Sequence, residues 1–243
     1  MNIEAIRANA RERARAGLEA TWRDYLGWLT ATFPRIAANL APPDPEGTRL
    51  LDELHRELRV ELPEQLVALY RLTGGEPWRP HDPDRGSGAL FGHSLLPPSE
   101  VLARVRRDRE LFTDADAWEP DPDAPTVSLM PDKVRATTRH RLWIPFTSAG
   151  GGTDAFAVDL APEAAGTTGQ IVLMAREQNH RFVVAASIAE LVALLHELGA
   201  AGEFQVVEGG PAGDESDEFL PQHAVRFDVA GDACLSDQML RWS

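Results

Sequence analysis

One cysteine, Cys234, and one lysine, Lys133, are the whole stock of either type in 243 residues. A lone thiol leaves no internal disulfide, which suits a reducing cytoplasm. Every other cationic side chain is arginine. A phosphate-cradling P-loop needs a lysine directly after its second glycine. Asp132 precedes Lys133, so a Walker-type nucleotide site is excluded. Long apolar runs are missing as well. Nothing approaches about 18 uncharged apolar residues, so no membrane span is expected. The opening MNIEAIRANARERARAGL mixes charge into every turn and has no apolar centre for a signal peptide. A cytoplasmic location is the expectation.

What is present describes an ordinary folded chain. Hydrophobic residues make up 43%, inside the globular range. A chain of this size buries roughly 70% of its unfolded surface and needs no staples. Net charge is -14, from 38 acidic and 24 basic residues. A field of that sign repels nucleic acid and anionic lipid. It would draw in a basic protein; solubility alone is the plainer reading.

Helical periodicity fills the first half. Leu18, Trp22, Tyr25, Leu29 and Phe33 form one apolar stripe, and Ile3 to Phe33 reads as one helix that stops before Pro34. A Pro-rich connector, Ala41 to Pro45, leads to a helix carrying Leu50, Leu51, Leu54 and Leu58. Pro63 fits the first position of a third helix that buries Leu66, Leu69 and Tyr70, with Gly74 and Gly75 as a left-handed cap. Glu76 to Pro98 is irregular. Ser99 is placed to cap a fourth helix, with Val101, Leu102 and Val105 inward and Arg104, Arg106, Arg107 and Arg109 mostly outward.

Beyond Thr126 the period changes. Phe156, Val158 and Leu160 alternate with Ala155, Ala157 and Asp159, as in a strand with one buried face. Ile171–Met174 and Phe182–Ala186 are short apolar runs, and the three strands are largely antiparallel because no helix fits between them. Ser187 to Glu190 is a capping-box pattern opening a helix that Gly199 and Gly202 close. Further strands are expected near Phe204–Val207 and Ala224–Val229. Helices, then sheet, then helix is an α+β order: a mainly antiparallel sheet flanked by helices, with an N-terminal helical segment. The division expected is a domain at 1–202 and a C-terminal extension at 203–243.

Each chemical motif has a structural counterpart reading. Gly150, Gly151 and Gly152 could cradle a phosphate, but a dinucleotide fingerprint needs a helix directly afterwards. The period here is two, so the glycines read as a turn between strands. His81, Asp82 and Asp84 with His93 match no metal-ligand spacing and lie among prolines, so they read as a solvated turn. Ser94 beside His93, Ser148 and Cys234 lack any arrangement that activates a nucleophile. The arginines of the fourth helix read as partners for the chain's own acids. The acidic stretch DADAWEPDPDAPT stands apart: Asp114, Asp116, Glu119, Asp121 and Asp123 surround Trp118. An aromatic ringed by charge is typical of a recognition surface; the other reading is an insertion whose Trp118 tucks back onto the body.

The order of motifs resembles the SUKH superfamily, the Smi/Knr cell-wall-assembly regulators and their bacterial relatives. The stretches that carry it begin with Trp22, Trp28-Leu29, Leu40-Ala41-Pro42-Pro43, Leu62-Pro63, Leu69-Tyr70 and Gly74-Gly75. They continue through Leu90-Phe91-Gly92, Trp143-Ile144-Pro145-Phe146, the three glycines, Val158-Asp159-Leu160, Gly169-Gln170-Ile171 and Val183-Val184-Ala185. Thr73 departs from the pattern, and the acidic stretch and the tail after Gly202 lie outside it. The resemblance implies an α+β domain without catalytic residues or cofactor. It implies an immunity protein that neutralises a basic toxin, a nuclease among the options, or else a regulatory adaptor of envelope assembly. A metal-dependent hydrolase built on the His81–His93 loop is the remaining alternative.

Overall fold

The computed structural model describes residues 2–77, 88–111, 117–118, 125–149, 154–175, 179–208 and 225–228. Helix α1 (Ile3–Ala14) is capped by Asn2, whose side chain accepts from the Ala5 N–H at 3.1 Å. It is separate from α2 (Leu18–Thr32), where the apolar pattern alone reads as continuous. The break is Gly17, at φ 88 and ψ 164, a conformation essentially restricted to glycine. On α2, Leu18, Trp22, Tyr25 and Leu29 are buried, as their spacing requires. Pro34 ends that helix by opening the short α3 (Pro34–Ala37).

Helix α4 (Pro45–Leu58) starts inside the expected connector: Asp44 caps it by accepting from the Glu46 N–H at 2.9 Å, and Pro45 takes the position where a missing N–H costs nothing. Helix α5 (Glu64–Leu72) buries Leu66, Leu69 and Tyr70. Gly74 and Gly75 do not form its cap, because Thr73 leaves the helix extended. They are needed for close passage instead. A Cβ on Gly74 would stand 2.6 Å from the Pro42 carbonyl oxygen, and one on Gly75 2.8 Å from the Leu96–Pro97 backbone. The short strand β1 (Ser94–Leu95) precedes α6 (Pro98–Leu111), which begins on Pro98, one residue before the expected Ser99 cap.

The remaining elements are mostly strands. These are β2 (Ala117–Trp118), β3 (Val127–Ser128), β4 (Arg139–His140), β5 (Trp143–Pro145), β6 (Thr147–Ser148), β7 (Asp154–Asp159), β8 (Ile171–Ala175), β9 (His180–Arg181) and β10 (Val183–Ala185). The main sheet runs β10-β8-β7-β5, antiparallel throughout, with Trp143 opposite Asp159 and Phe156 opposite Leu173. The β3–β9 pair is parallel.

Both faces of β7 are buried, where alternation suggested one. Phe156 and Val158 join the main core with Ile144, Ile171 and Leu173. Ala155 and Ala157 pack on the opposite side with Val134, Trp143, Val172 and Met174 in a second, smaller cluster. The alanines are small because a tryptophan and the loop bearing Val134 cover them.

Helix α7 (Ile188–Ala200) is received by both α1 and α2. Three side-chain acceptors satisfy its N-terminal donors. Ser187 accepts from the Glu190 N–H at 3.2 Å, Glu190 from the Ala186 N–H at 3.2 Å, and Gln65 from the Ala189 N–H at 2.9 Å. Strands β11 (Gln205–Glu208) and β12 (Val225–Asp228) pair antiparallel. No described helix is long and apolar enough to cross a membrane.

Candidate functional site

A buried arrangement of titratable groups lies under the segment 88–97, and Glu76 is its centre. Two glycines let the chain run close between Ala41 and Leu96, and Glu76 then enters the interior, 5% exposed. One carboxylate oxygen accepts from the N–H groups of Ala89 at 3.0 Å and Leu95 at 2.8 Å. The other accepts from Gly88 at 2.9 Å. The Ser94 side chain also bonds to this carboxyl group. A carboxylate offers about four lone-pair sites, so these donors fill it. Burial pushes its pKa up to about 7, against the pull of the backbone N–H groups and Ser94.

Two phenols complete the fastening. Tyr25 donates to the Ala89 carbonyl, and Tyr70 donates to the Leu96 carbonyl at 2.7 Å. Burial, with the nearby Glu76 charge, raises the Tyr25 pKa well above its ordinary value. Between them Leu90 and His93 form an antiparallel bridge around Phe91 and Gly92, at φ 55 and 83. Two successive residues of positive φ belong to a type I′ turn. Phe91 tolerates that backbone because its ring is fully buried, stacked 6.3 Å from Trp28.

His93 does not lie in the solvated turn expected of it: it is 3% exposed. Its ring stacks on Phe156 with centroids 4.2 Å apart, and Nδ1 lies 3.3 Å from the Thr147 hydroxyl. Burial drops its pKa to about 3, so the ring is neutral. His81, Asp82 and Asp84 lie outside the described residues. Among the described residues, no three His, Cys, Asp or Glu side chains group as a metal cage. His93 and Ser94 diverge, the first to Thr147 and the second to Glu76. Ser148 accepts from Arg104 at 3.3 Å.

Two more buried charges hold the sheet. Asp159 accepts from the Ala161 N–H and from Gln170 Nε2, each at 2.9 Å, and burial raises its pKa. Arg181 is fully buried and donates to the carbonyls of Thr137 at 2.9 Å, His180 at 3.0 Å and Ala175 at 2.8 Å.

The arginines of α6 divide. Arg106 bonds to Glu53 and Glu57 of α4, which holds Glu57 below the usual carboxylate range. Arg109 donates to the Glu57 carbonyl at 3.0 Å. Arg106 follows the expected pairing with the chain's own acids, whereas Arg109 bonds to a backbone carbonyl. Arg104 turns partly inward instead, and burial lowers its pKa.

Asp114, Asp116, Glu119, Asp121 and Asp123 lie outside the described residues. At Trp118 the backbone is described: it pairs antiparallel with Arg139. The three glycines are also outside, but their flanks are informative. Ala149 and Asp154 exchange both backbone hydrogen bonds, at 2.9 and 3.3 Å, as an antiparallel pair. That pairing is what a corner between strands requires. Cys234 lies outside the described residues.

With this geometry in view, the comparisons give the lineage. Residues 48–194 match the SMI1 / KNR4 family (SUKH-1). The chain belongs to that family. It is 27% identical over 206 residues to a cell wall biosynthesis/cell cycle regulator of Schizosaccharomyces pombe, covering 80% of this chain and 38% of the relative. It is 26% identical over 222 residues to a glucan synthesis regulatory protein of Neurospora crassa, covering 78% and 40%. A KNR4/SMI1 homolog of Debaryomyces hansenii is 22% identical over 224 residues, covering 70% and 48%. The chain thus spans less than half the length of these relatives.

Proposed function

We propose that this chain is a non-catalytic protein-binding domain acting as a regulatory adaptor in cell-wall or envelope assembly. Family membership, with relatives named as regulators of cell wall biosynthesis and of glucan synthesis, carries the reading. The interior chemistry is in keeping with it. Glu76 and Asp159 accept from internal donors, and His93 is neutral and stacked. Such groups maintain a shape for a partner to read. The stretch bearing Asp114, Asp116, Trp118, Glu119, Asp121 and Asp123 is the proposed contact, an aromatic anchor among carboxylates.

Crosslinking and affinity purification from the native organism tests this. Recovery of envelope-assembly proteins, reduced when the five acids become amides, is the expected result. A chain that recovers no protein at all, with no altered sensitivity to wall-active agents on deletion, ends the reading.

A second reading has the net charge of -14 in its favour. It is an immunity protein for a basic toxin domain, with electrostatic attraction speeding the encounter. Co-expression with a toxin encoded beside it separates the two: protection and co-purification favour immunity, and their absence leaves the adaptor.

A further inference from the structure

A hollow of about 160 Å³ opens between the starts of α4 and α6. Its apolar walls are Leu50, Tyr70, Pro97 and Pro98. A cavity of about 150 Å³ lined by aliphatic residues holds a benzene molecule, so this one fits a single leucine, isoleucine or phenylalanine side chain. The walls are fixed in advance. Tyr70 is tied to the Leu96 carbonyl at 2.7 Å, and two prolines form the lip. Gly47 and Gly74 line it without side chains. A Cβ on Gly47 would already touch Pro98 at 3.0 Å. A binder therefore loses little to ordering the protein.

Charge selects the binder. Asp44 and Glu46 are the charged lining residues, both acidic, and Glu100 sits in the first turn of α6. Two helix starts contribute about half a positive charge each, and Arg49 bonds to Glu46. These offset the two lining acids, and the surplus that favours a cationic segment is Glu100 beyond the lining together with the chain's net charge of -14.

We propose that this hollow docks one apolar side chain carried on a cationic segment of a partner protein. The proposal rests on the protein-binding reading above and gives it a second contact, apart from the acidic stretch. The probe is a synthetic peptide with one leucine between pairs of arginines, titrated into isotope-labelled full-length chain. Saturable amide shifts at Gly47, Leu50, Gly74 and Ser99 are expected. Replacing the peptide's leucine by glycine weakens binding by roughly ten- to a hundredfold, the value of one buried aliphatic side chain. Ser99→Trp, at an exposed position on the rim, blocks the hollow; Glu46→Arg weakens binding and flattens its salt dependence.

Unmoved amides at these four positions overturn the proposal. So does equal affinity for a peptide with glutamates in place of the arginines, or unchanged binding to a folded Ser99→Trp chain. A dimer in sedimentation that Ser99→Trp dissolves assigns the hollow to a second copy and also overturns it. If partners recovered by crosslinking bind Ser99→Trp as well as the native chain, the hollow fails while the adaptor reading stands.

Discussion

Replacing Glu76 by Gln keeps the shape of a fully buried side chain and removes its charge. Two opposing static effects follow. The amide NH2 faces a backbone N–H, either Gly88 or the Ala89–Leu95 pair, and each orphaned donor costs about 1–3 kcal/mol. Against that, the cost of burying the charge disappears. Absolute stability therefore discriminates poorly, but its pH dependence does not. The folded pKa is about 7 against an ordinary 4.5. Between those values the folded chain holds a proton that the unfolded chain has released. Stability from this group is present below the unfolded pKa and is lost as pH rises through the folded one. From pH 5 to pH 8 the loss is about 2–3 kcal/mol at 1.36 kcal/mol per pH unit. Glu76→Gln lacks it. The assay is urea unfolding of both proteins at pH 5, 6, 7 and 8, followed by tryptophan fluorescence. The variant should gain about 2–3 kcal/mol relative to the native chain across that range. A gap that stays flat, or moves the other way, would mean that the donors outweigh burial and keep the carboxylate ionised throughout.

Three further perturbations probe packing and backbone. A Cβ at Gly199 would stand 2.3 Å from the Trp28 ring, which is held among Phe33, Phe91 and Phe204; Gly199→Ala should cost about 1–3 kcal/mol in chemical denaturation, and Trp28→Leu in the same chain should recover part of it. Gly17→Ala and Gly75→Ala form a pair: both sit at positive φ, but only Gly75 also meets backbone at 2.8 Å. Gly17→Ala should cost about 1–3 kcal/mol and Gly75→Ala more, and equal melting temperatures would count against the close approach. Ser187→Ala removes the cap of α7 and should cost about 1 kcal/mol, with exchange of the Glu190 amide accelerated.

Much of the fold is legible in the sequence where periodicity is long enough to declare itself. Leu66, Leu69 and Tyr70, or Val101, Leu102 and Val105, repeat at helical spacing and are buried as expected. Strands of two residues, such as β1, β3 and β9, carry no detectable period. The break at Gly17 interrupts no apolar stripe, because α1 and α2 each present a face to α7. Ala155 and Ala157 look like a weakly apolar outer face until the cover supplied by Val134 and Trp143 is known. Glu76 is the plainest miss. An acid after two glycines reads as exposed, and its donors stand 12 to 19 residues further along the chain. The acidic stretch is the reverse case: its composition marks it, but pattern alone gives no geometry.

The bridge between Ala149 and Asp154 has a practical consequence for engineering. Residues that exchange both hydrogen bonds lie about 5.5 Å apart at Cα. The alignment of β7 is already fixed by its neighbours β5 and β8 on either side. The two ends of an insertion made between these residues would therefore lie side by side. That makes the position suitable for grafting a reporter domain whose own ends are close together.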